Sequence, residues 1–280
     1  MWDVRCMCSA GKRLLRSRNC RSRTRAMNEP ARLFISEIFS AIQGEGRYVG
    51  SRQIFLRLSG CDLRCSYCDE PDSLEKKPGH ARIETRPGSR EFDEMESPLP
   101  VTVVASRIVE FESQLAHRFL SVTGGEPLIQ PAGLSELLPV CRASGMKIAL
   151  ETSGTRPDAL RLVAEAGDII SMDIKLDSVD SAGVDPVSQC EFLSAAIEIG
   201  AEVYCKAVIS ASLDADELRE AAKWIADLDP SLTLYLQPVS EAGGEVPPSA
   251  GALLGLQAQV MEILSDTRVL PQVHKLMGQK

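Results

Sequence analysis

The sequence predicts an α/β fold on a mostly parallel sheet that closes, or nearly closes, into a barrel. Two observations carry this. Strand-like and helix-like stretches take turns along most of the chain, and no internal repeat or heptad array competes with that alternation. Repeated βα units imply parallel strands joined by right-handed crossovers. A chain of 280 residues, 44% hydrophobic, is long enough to bury one substantial core.

In chain order, "LFISEIF" and "QIFLRLS" read as strands, rich in β-branched and aromatic residues with short polar interruptions. Residues 71–100 are dense in Pro, Gly and charge and predict a long exposed insertion. "TVVASRIVEFESQLA" has helical apolar spacing, with Thr102 as its expected N-cap. Then "FLSVT", "KIALET", "DIISMDIK", "EVYCKAVIS" and "LTLYLQPV" read as strands. Among them lie amphipathic helices, "DALRLVAEAG", "CEFLSAAIEIG" and "DADELREAAKWIADL". In parallel α/β architectures the loops after the strands carry the chemistry.

Composition narrows the class. No apolar run is long enough to cross a bilayer. Nine cysteines, an odd number irregularly spaced, do not form a secreted disulfide framework and suit a reducing cytoplasm. Residues 1–26 hold eight Lys/Arg against the single acid Asp3, so the body is more acidic than the overall charge of −8. An acidic body argues against nucleic acid as a direct partner. The basic leader (1–27) lacks an apolar signal core and is expected to be a disordered extension, with Met27 a candidate start; Cys6, Cys8 and Cys20 within it receive no role. The catalytic domain is expected over 28–280.

The most specific stretch is "GCDLRCSYCDE", with Cys61, Cys65 and Cys68 in a turn-rich loop directly after a strand. A structural zinc site takes four protein ligands. Here the remaining candidates are remote, Cys141 far downstream and His80 in the insertion. Three thiolates without a fourth suit a cubane iron–sulfur cluster with one iron left for an external ligand. A zinc knuckle completed from a distance stays open at this point. Cys141, Cys190 and Cys205 read as small buried hydrophobes.

Cys61-x3-Cys65-x2-Cys68, with Tyr67 before the third cysteine, resembles the signature of radical S-adenosylmethionine (SAM) enzymes. The resemblance implies a partial (β/α) barrel, its cluster loop at the C-terminal strand ends, holding a [4Fe-4S] cluster. It further implies that SAM chelates the open iron and yields a 5′-deoxyadenosyl radical on reduction. "SVTGGEP" resembles the motif that binds the methionyl amine, through Gly125 and Glu126. Ser153 in "LETSGT", and Ser171 and Lys175 in "SMDIK", resemble residues that hold the ribose and methionyl carboxylate, although "SMDIK" departs from the usual Ser-Pro-Lys pattern.

The stretch "SEIFSAIQGEGRYVGSRQIFLRLSG" before the cysteines, with "LQPV" and "RVLPQVHKLMG" later, resembles the 7-carboxy-7-deazaguanine synthase family. That resemblance implies ring contraction of 6-carboxy-5,6,7,8-tetrahydropterin with loss of ammonia, a step toward queuosine and other 7-deazapurines. It also implies Mg²⁺, a small electron donor such as flavodoxin or ferredoxin, and a homodimer. By family position Ile42, Gln43 and Gly44 meet the pterin, largely through backbone. Arg57 grips its carboxylate with two parallel bonds, and Thr123 meets it from the next strand. The family places a small hydroxyl residue, the Mg²⁺ ligand, where this chain has Glu70. A carboxylate is a hard-oxygen ligand but repels the substrate carboxylate unless the metal lies between them. A glycyl-radical activating enzyme shares the cysteine spacing but needs neither "QGEG" nor a carboxylate-gripping arginine. A non-catalytic zinc module is the reading outside enzymes.

Overall fold

The computed structural model describes residues 30–180, 183–240 and 245–279. The basic leader, with Cys6, Cys8, Cys20 and Met27, lies outside the described residues.

The expected strands form as β2 (Ile35–Ile42), β3 (Arg52–Leu58), β7 (Phe119–Gly124), β8 (Lys147–Thr152), β9 (Ile169–Ile174), β10 (Glu202–Ile209) and β11 (Leu234–Pro238). Together with β4 (His80–Glu84), β5 (Phe92–Glu96) and β12 (Thr267–Val269) they make one ten-stranded sheet. Its order is β12-β11-β10-β9-β8-β7-β3-β2-β4-β5, open between β12 and β5, so the barrel is partial. From β3 through β7 to β12 every neighbour is parallel, whereas β2 runs antiparallel to β3. The two-residue strands β1 (Arg32–Leu33) and β6 (Leu99–Pro100) pair separately.

The helices are α1 (Val101–Gln114), α2 (Pro131–Ala143), α3 (Pro157–Val163), α4 (Asp177–Asp180), α5 (Pro186–Ile199), α6 (Ala215–Leu228), α7 (Ala250–Met261) and α8 (Val273–Leu276). None of the described helices is long and apolar enough to cross a membrane. Thr102 lies inside α1 and is not its N-cap, which is Pro100. The β1–β6 pairing brings Ala31 alongside, and its carbonyl accepts from Val101 N at 2.8 Å, so the helix starts earlier than the hydroxyl signal suggested.

The expected exposed insertion differs more. Within 71–100, β4 pairs parallel with β2 and antiparallel with β5, extending the sheet, and Ala81, Ile83 and Leu99 are buried. Charges at every other position of "HARIE" hid a half-buried strand: Arg82 points outward to Glu37 while Ala81 and Ile83 point inward.

Strand alternation sorts the sheet into two faces. Leu56, Val122, Leu150, Ile170, Met172, Cys205 and Leu236 pack with Ile108, Phe111, Leu134, Leu160, Phe192 and Ile225 of the helices in one core cluster. Cys141 and Cys190 are buried as well, so all three expected core thiols are interior. On the other face, Phe119, Ala149, Ile169, Tyr204 and Tyr235 make an apolar floor near the strand starts. One step further along the strands the side chains turn polar.

Candidate active site

The polar end of that face opens into a cavity. Thr123, Glu151, Ser171, Asp173 and Lys206 project into it from the strands next to Arg57 on β3. Arg57 and Thr123 are ladder partners across β3 and β7, which places them side by side. The cysteine loop supplies Cys61, Cys65, Tyr67, Cys68 and Glu70; Ile42, Gln43 and Gly44 come from the end of β2, and Gly125, Ser153 and Lys175 follow strands β7, β8 and β9. Every expected site residue except Glu126 therefore lines one cavity.

The cysteine loop is held from several sides. Gly60 N donates to Ser73 O at 2.7 Å, Cys68 N to Cys65 O at 3.1 Å, and Ser66 N to Asp180 Oδ1 at 3.0 Å. The three thiols are free, and neither Cys141 nor His80 lines the cavity. Among the described residues, the group of ligand atoms gathered within 4.8 Å is Glu45, Asp69 and His274, not the three sulfurs. Thiolates on one zinc ion, each about 2.3 Å from it, would lie closer together than that. Burial pushes all three thiols upward, Cys65 to about 12, so metal binding there must displace protons from the sulfurs. Among the described residues, thiols spaced this widely fit a multinuclear iron–sulfur cluster better than one ion.

Two expectations change. Glu126 is 1% exposed, and its carboxylate accepts from Leu128 N, Thr152 Oγ1, and Ser153 N and Oγ at 2.7–3.0 Å. It ties the ends of β7 and β8 together behind the cavity wall. The adjacent glycines serve the same packing, because a Cβ on Gly124 would sit 2.0 Å from Leu58 O and one on Gly125 2.2 Å from Gly60 O. They bring the cysteine loop's own backbone close, with Glu126 N donating to Gly60 O at 2.8 Å.

Gln43 also departs from expectation. Its backbone N–H and C=O are taken by Ser51 and Gly50 in the hairpin between β2 and β3. Its side chain spans the cavity: Nε2 donates to Glu151 Oε1 at 2.8 Å, and Oε1 accepts from Glu45 N at 3.0 Å. One amide hydrogen and one lone pair remain, in a fixed orientation. Glu151 also accepts from Ser121 and Thr123, so its carboxylate organises this wall through neutral donors.

Arg57 is 8% exposed, with Nη2 2.8 Å from Glu70 Oε1 and Nε 3.7 Å from Glu37 Oε2. Lys175 donates to Asp173 at 2.7 Å and to the Tyr67 hydroxyl at 3.1 Å. Burial alone would lower the Lys175 pKa, but the charge and hydrogen bond of Asp173, together with Tyr67 and Cys65, outweigh it and hold the ammonium charged. Asp173, two residues before it, thus provides that lysine with a counter-ion from the end of β9.

The mouth is lined by residues the sequence reading left out. Gln272, His274 and Lys275 come from the C-terminal segment. Gln272 Nε2 donates to Glu45 and Asp69, Lys275 pairs with Asp69 at 3.0 Å, and Val273 N donates to Gly44 O. A Cβ on Gly44 would meet His274 Nδ1 at 2.1 Å, so only glycine lets the segment lie down there. Lys206 pairs with Glu45 at the same rim. The signal for Lys206 was its period-two offset from Tyr204 on β10; the C-terminal contacts join remote parts of the chain and carry no local signal.

Residues 56–209, more than half of the chain, match the Radical SAM superfamily, which implies a [4Fe-4S] cluster and SAM. The chain is 36% identical over 247 residues to a 7-carboxy-7-deazaguanine synthase of Geobacter sulfurreducens, covering 88% of this chain and 97% of that one. It is 39% identical over 251 residues to the enzyme of that name from Methanopyrus kandleri, covering 88% and 93%. QueE from Escherichia coli shares the fold with a TM-score of 0.55 at 23% identity, over 87% of this chain and 95% of the other. A cluster-ready thiol loop at the polar end of a partial barrel, and this likeness across nearly the whole of its relatives, place the chain in the 7-carboxy-7-deazaguanine synthase family of radical SAM enzymes.

Proposed function

We propose that the chain converts 6-carboxy-5,6,7,8-tetrahydropterin to 7-carboxy-7-deazaguanine with loss of ammonia, a carbon–nitrogen lyase reaction in 7-deazapurine (queuosine) biosynthesis. The supporting observation is that the cysteine triad, a buried arginine and the Ile42–Gly44 segment share one cavity.

In this reading Cys61, Cys65 and Cys68 hold the [4Fe-4S] cluster. With SAM bound, the cluster supplies one-electron cleavage and thus a carbon radical. Tyr67, Gly125, Ser153, Ser171 and Lys175 would hold SAM, with the Lys175 ammonium, paired with Asp173, the cation available to its carboxylate. Glu126 contributes by fixing Ser153. Arg57 orients the substrate carboxylate, and Thr123 stands beside it. The remaining donor and acceptor of the Gln43 amide offer a planar edge to the heterocycle, with Ile42 and Gly44 flanking it. Glu70, a cavity-facing carboxylate and so a hard-oxygen ligand, suits Mg²⁺. Gln272, His274 and Lys275 restrict solvent at the mouth, which protects a radical from quenching.

A single catalytic domain from about residue 28, a homodimer, and an electron donor of the flavodoxin or ferredoxin kind complete the proposal, on family resemblance. Free thiols at every described cysteine favour a reducing compartment, the cytoplasm. The test is anaerobic incubation of reconstituted protein with the pterin, SAM and reductant, followed by mass spectrometry. Ring-contracted product and ammonia are expected. Cleavage of SAM without conversion of the pterin would overturn the proposal and favour a radical enzyme acting on another substrate.

A further inference from the structure

Glu70 covers the cavity side of Arg57, the guanidinium proposed to grip the substrate carboxylate. Its Oε1 is 2.8 Å from Arg57 Nη2, on the cavity side of a guanidinium that is otherwise enclosed. Behind Arg57 lies Glu37, already bonded to Arg82 at 2.7 Å. The backbone of Glu70 is anchored, since its carbonyl accepts from Ser73 N at 3.0 Å and Ser73 Oγ at 2.8 Å. Its side chain, about one-third exposed, is therefore the part with room to swing. A second carboxylate arriving at Arg57 would meet Glu70 as a like charge across one guanidinium, an unfavourable arrangement in a partly desolvated cavity. A hydroxyl residue at this position would leave Nη2 open.

We propose that Glu70 is an internal stand-in for the substrate carboxylate, and that a divalent cation placed between the two carboxylates is what lets the substrate displace it from Arg57. Glu70 thereby couples substrate binding to cation binding more strongly than a hydroxyl ligand, which leaves Arg57 open, would. The coupling is reciprocal: the carboxylated ligand tightens the cation by the factor with which the cation tightens the ligand. This inference rests on the proposed substrate class, and its test separates the two.

The probe is 6-carboxypterin, a fluorescent oxidised analogue, titrated into anaerobically reconstituted protein with SAM bound, with and without Mg²⁺. For the unsubstituted protein, Mg²⁺ is expected to tighten the analogue by about tenfold or more. In Glu70→Thr and Glu70→Gln the analogue should bind tightly without Mg²⁺, and the Mg²⁺ effect should shrink to about threefold or less. Pterin without the carboxylate should show no Mg²⁺ effect in any form. Iron–sulfur absorbance and thermal unfolding of the variants establish that cluster and fold are intact. Equal Mg²⁺ dependence in the Glu70 variants and the parent, or none in the parent, overturns the coupling while leaving the substrate class standing. Failure of 6-carboxypterin to bind any form, while SAM still binds, overturns the substrate reading and the inference with it.

Discussion

The two faces of the sheet obey the same alternation and carry opposite chemistry. Along β10, Val203, Cys205, Ala207 and Ile209 pack under helices, while Tyr204, Lys206 and Val208 look into the barrel. Along β9, Ile170, Met172 and Ile174 are core, while Ser171 and Asp173 line the cavity. Stability is concentrated on the helix-covered face, where apolar area leaves water. The inner face keeps an apolar floor and then spends its strand ends on charges that satisfy one another. Lys175 with Asp173, Lys206 with Glu45, and Arg57 with Glu70 pair the pocket's charges before any ligand arrives. Breaking one face should therefore leave the other's property measurably intact.

The largest effect belongs to the cysteine loop. Cys65→Ala should abolish iron–sulfur absorbance and reductive SAM cleavage while the unfolding midpoint of the metal-free protein stays within error; retained cleavage would refute its role as ligand. The opposite case is Phe192→Ala, deep under the helices. It should lower unfolding free energy by about 3–5 kcal/mol, read by urea denaturation, while the protein still takes up a cluster. Arg57→Lys should come next: the two-pronged grip is lost but the charge remains. KM for the pterin should rise by roughly tenfold, with cluster absorbance unchanged.

Glu126→Gln probes the border between the faces. Gln would point an amide NH₂ at donors that now share the carboxylate, so stability should fall by about 1–3 kcal/mol. An unchanged stability with weakened SAM affinity would return Glu126 to the ligand side. The smallest effect concerns the rim. Burial would raise the Glu45 pKa, but Lys206 and Gln272 outweigh it and hold it lowered. A depressed carboxylate pKa stabilises above its unfolded value and loses that contribution as pH falls through the folded value. Hydrogen-exchange protection at 272–278, corrected for the intrinsic rate, should therefore fall as pH drops below the ordinary glutamate value of about 4.3, with amides of β9 unaffected.

What could be read in the sequence follows the same division. Strands β2, β3 and β7 to β11 announced themselves because their core-facing residues are β-branched or large. β4 did not, because an edge-side strand with Arg82 and Glu84 in it resembles a charged loop until Glu37 and the partner strands are in place. The cysteine loop was legible as local spacing after a strand. The cavity's ion pairs were not, since Glu45 meets Lys206, and Asp69 meets Lys275, only once the barrel brings distant segments together. The partners of Glu126 were hidden for a related reason: a motif names the residue, but Thr152 and Ser153 decide which way its carboxylate turns.

Electron–nuclear double resonance on the reduced, reconstituted protein with SAM labelled at its methionyl nitrogen and carboxylate oxygens bears most directly on how the three-cysteine loop works. Hyperfine coupling from both labels, absent without SAM, is the predicted result. A cluster already showing a protein nitrogen or oxygen at its fourth iron, with no coupling from the labelled cofactor, would contradict it.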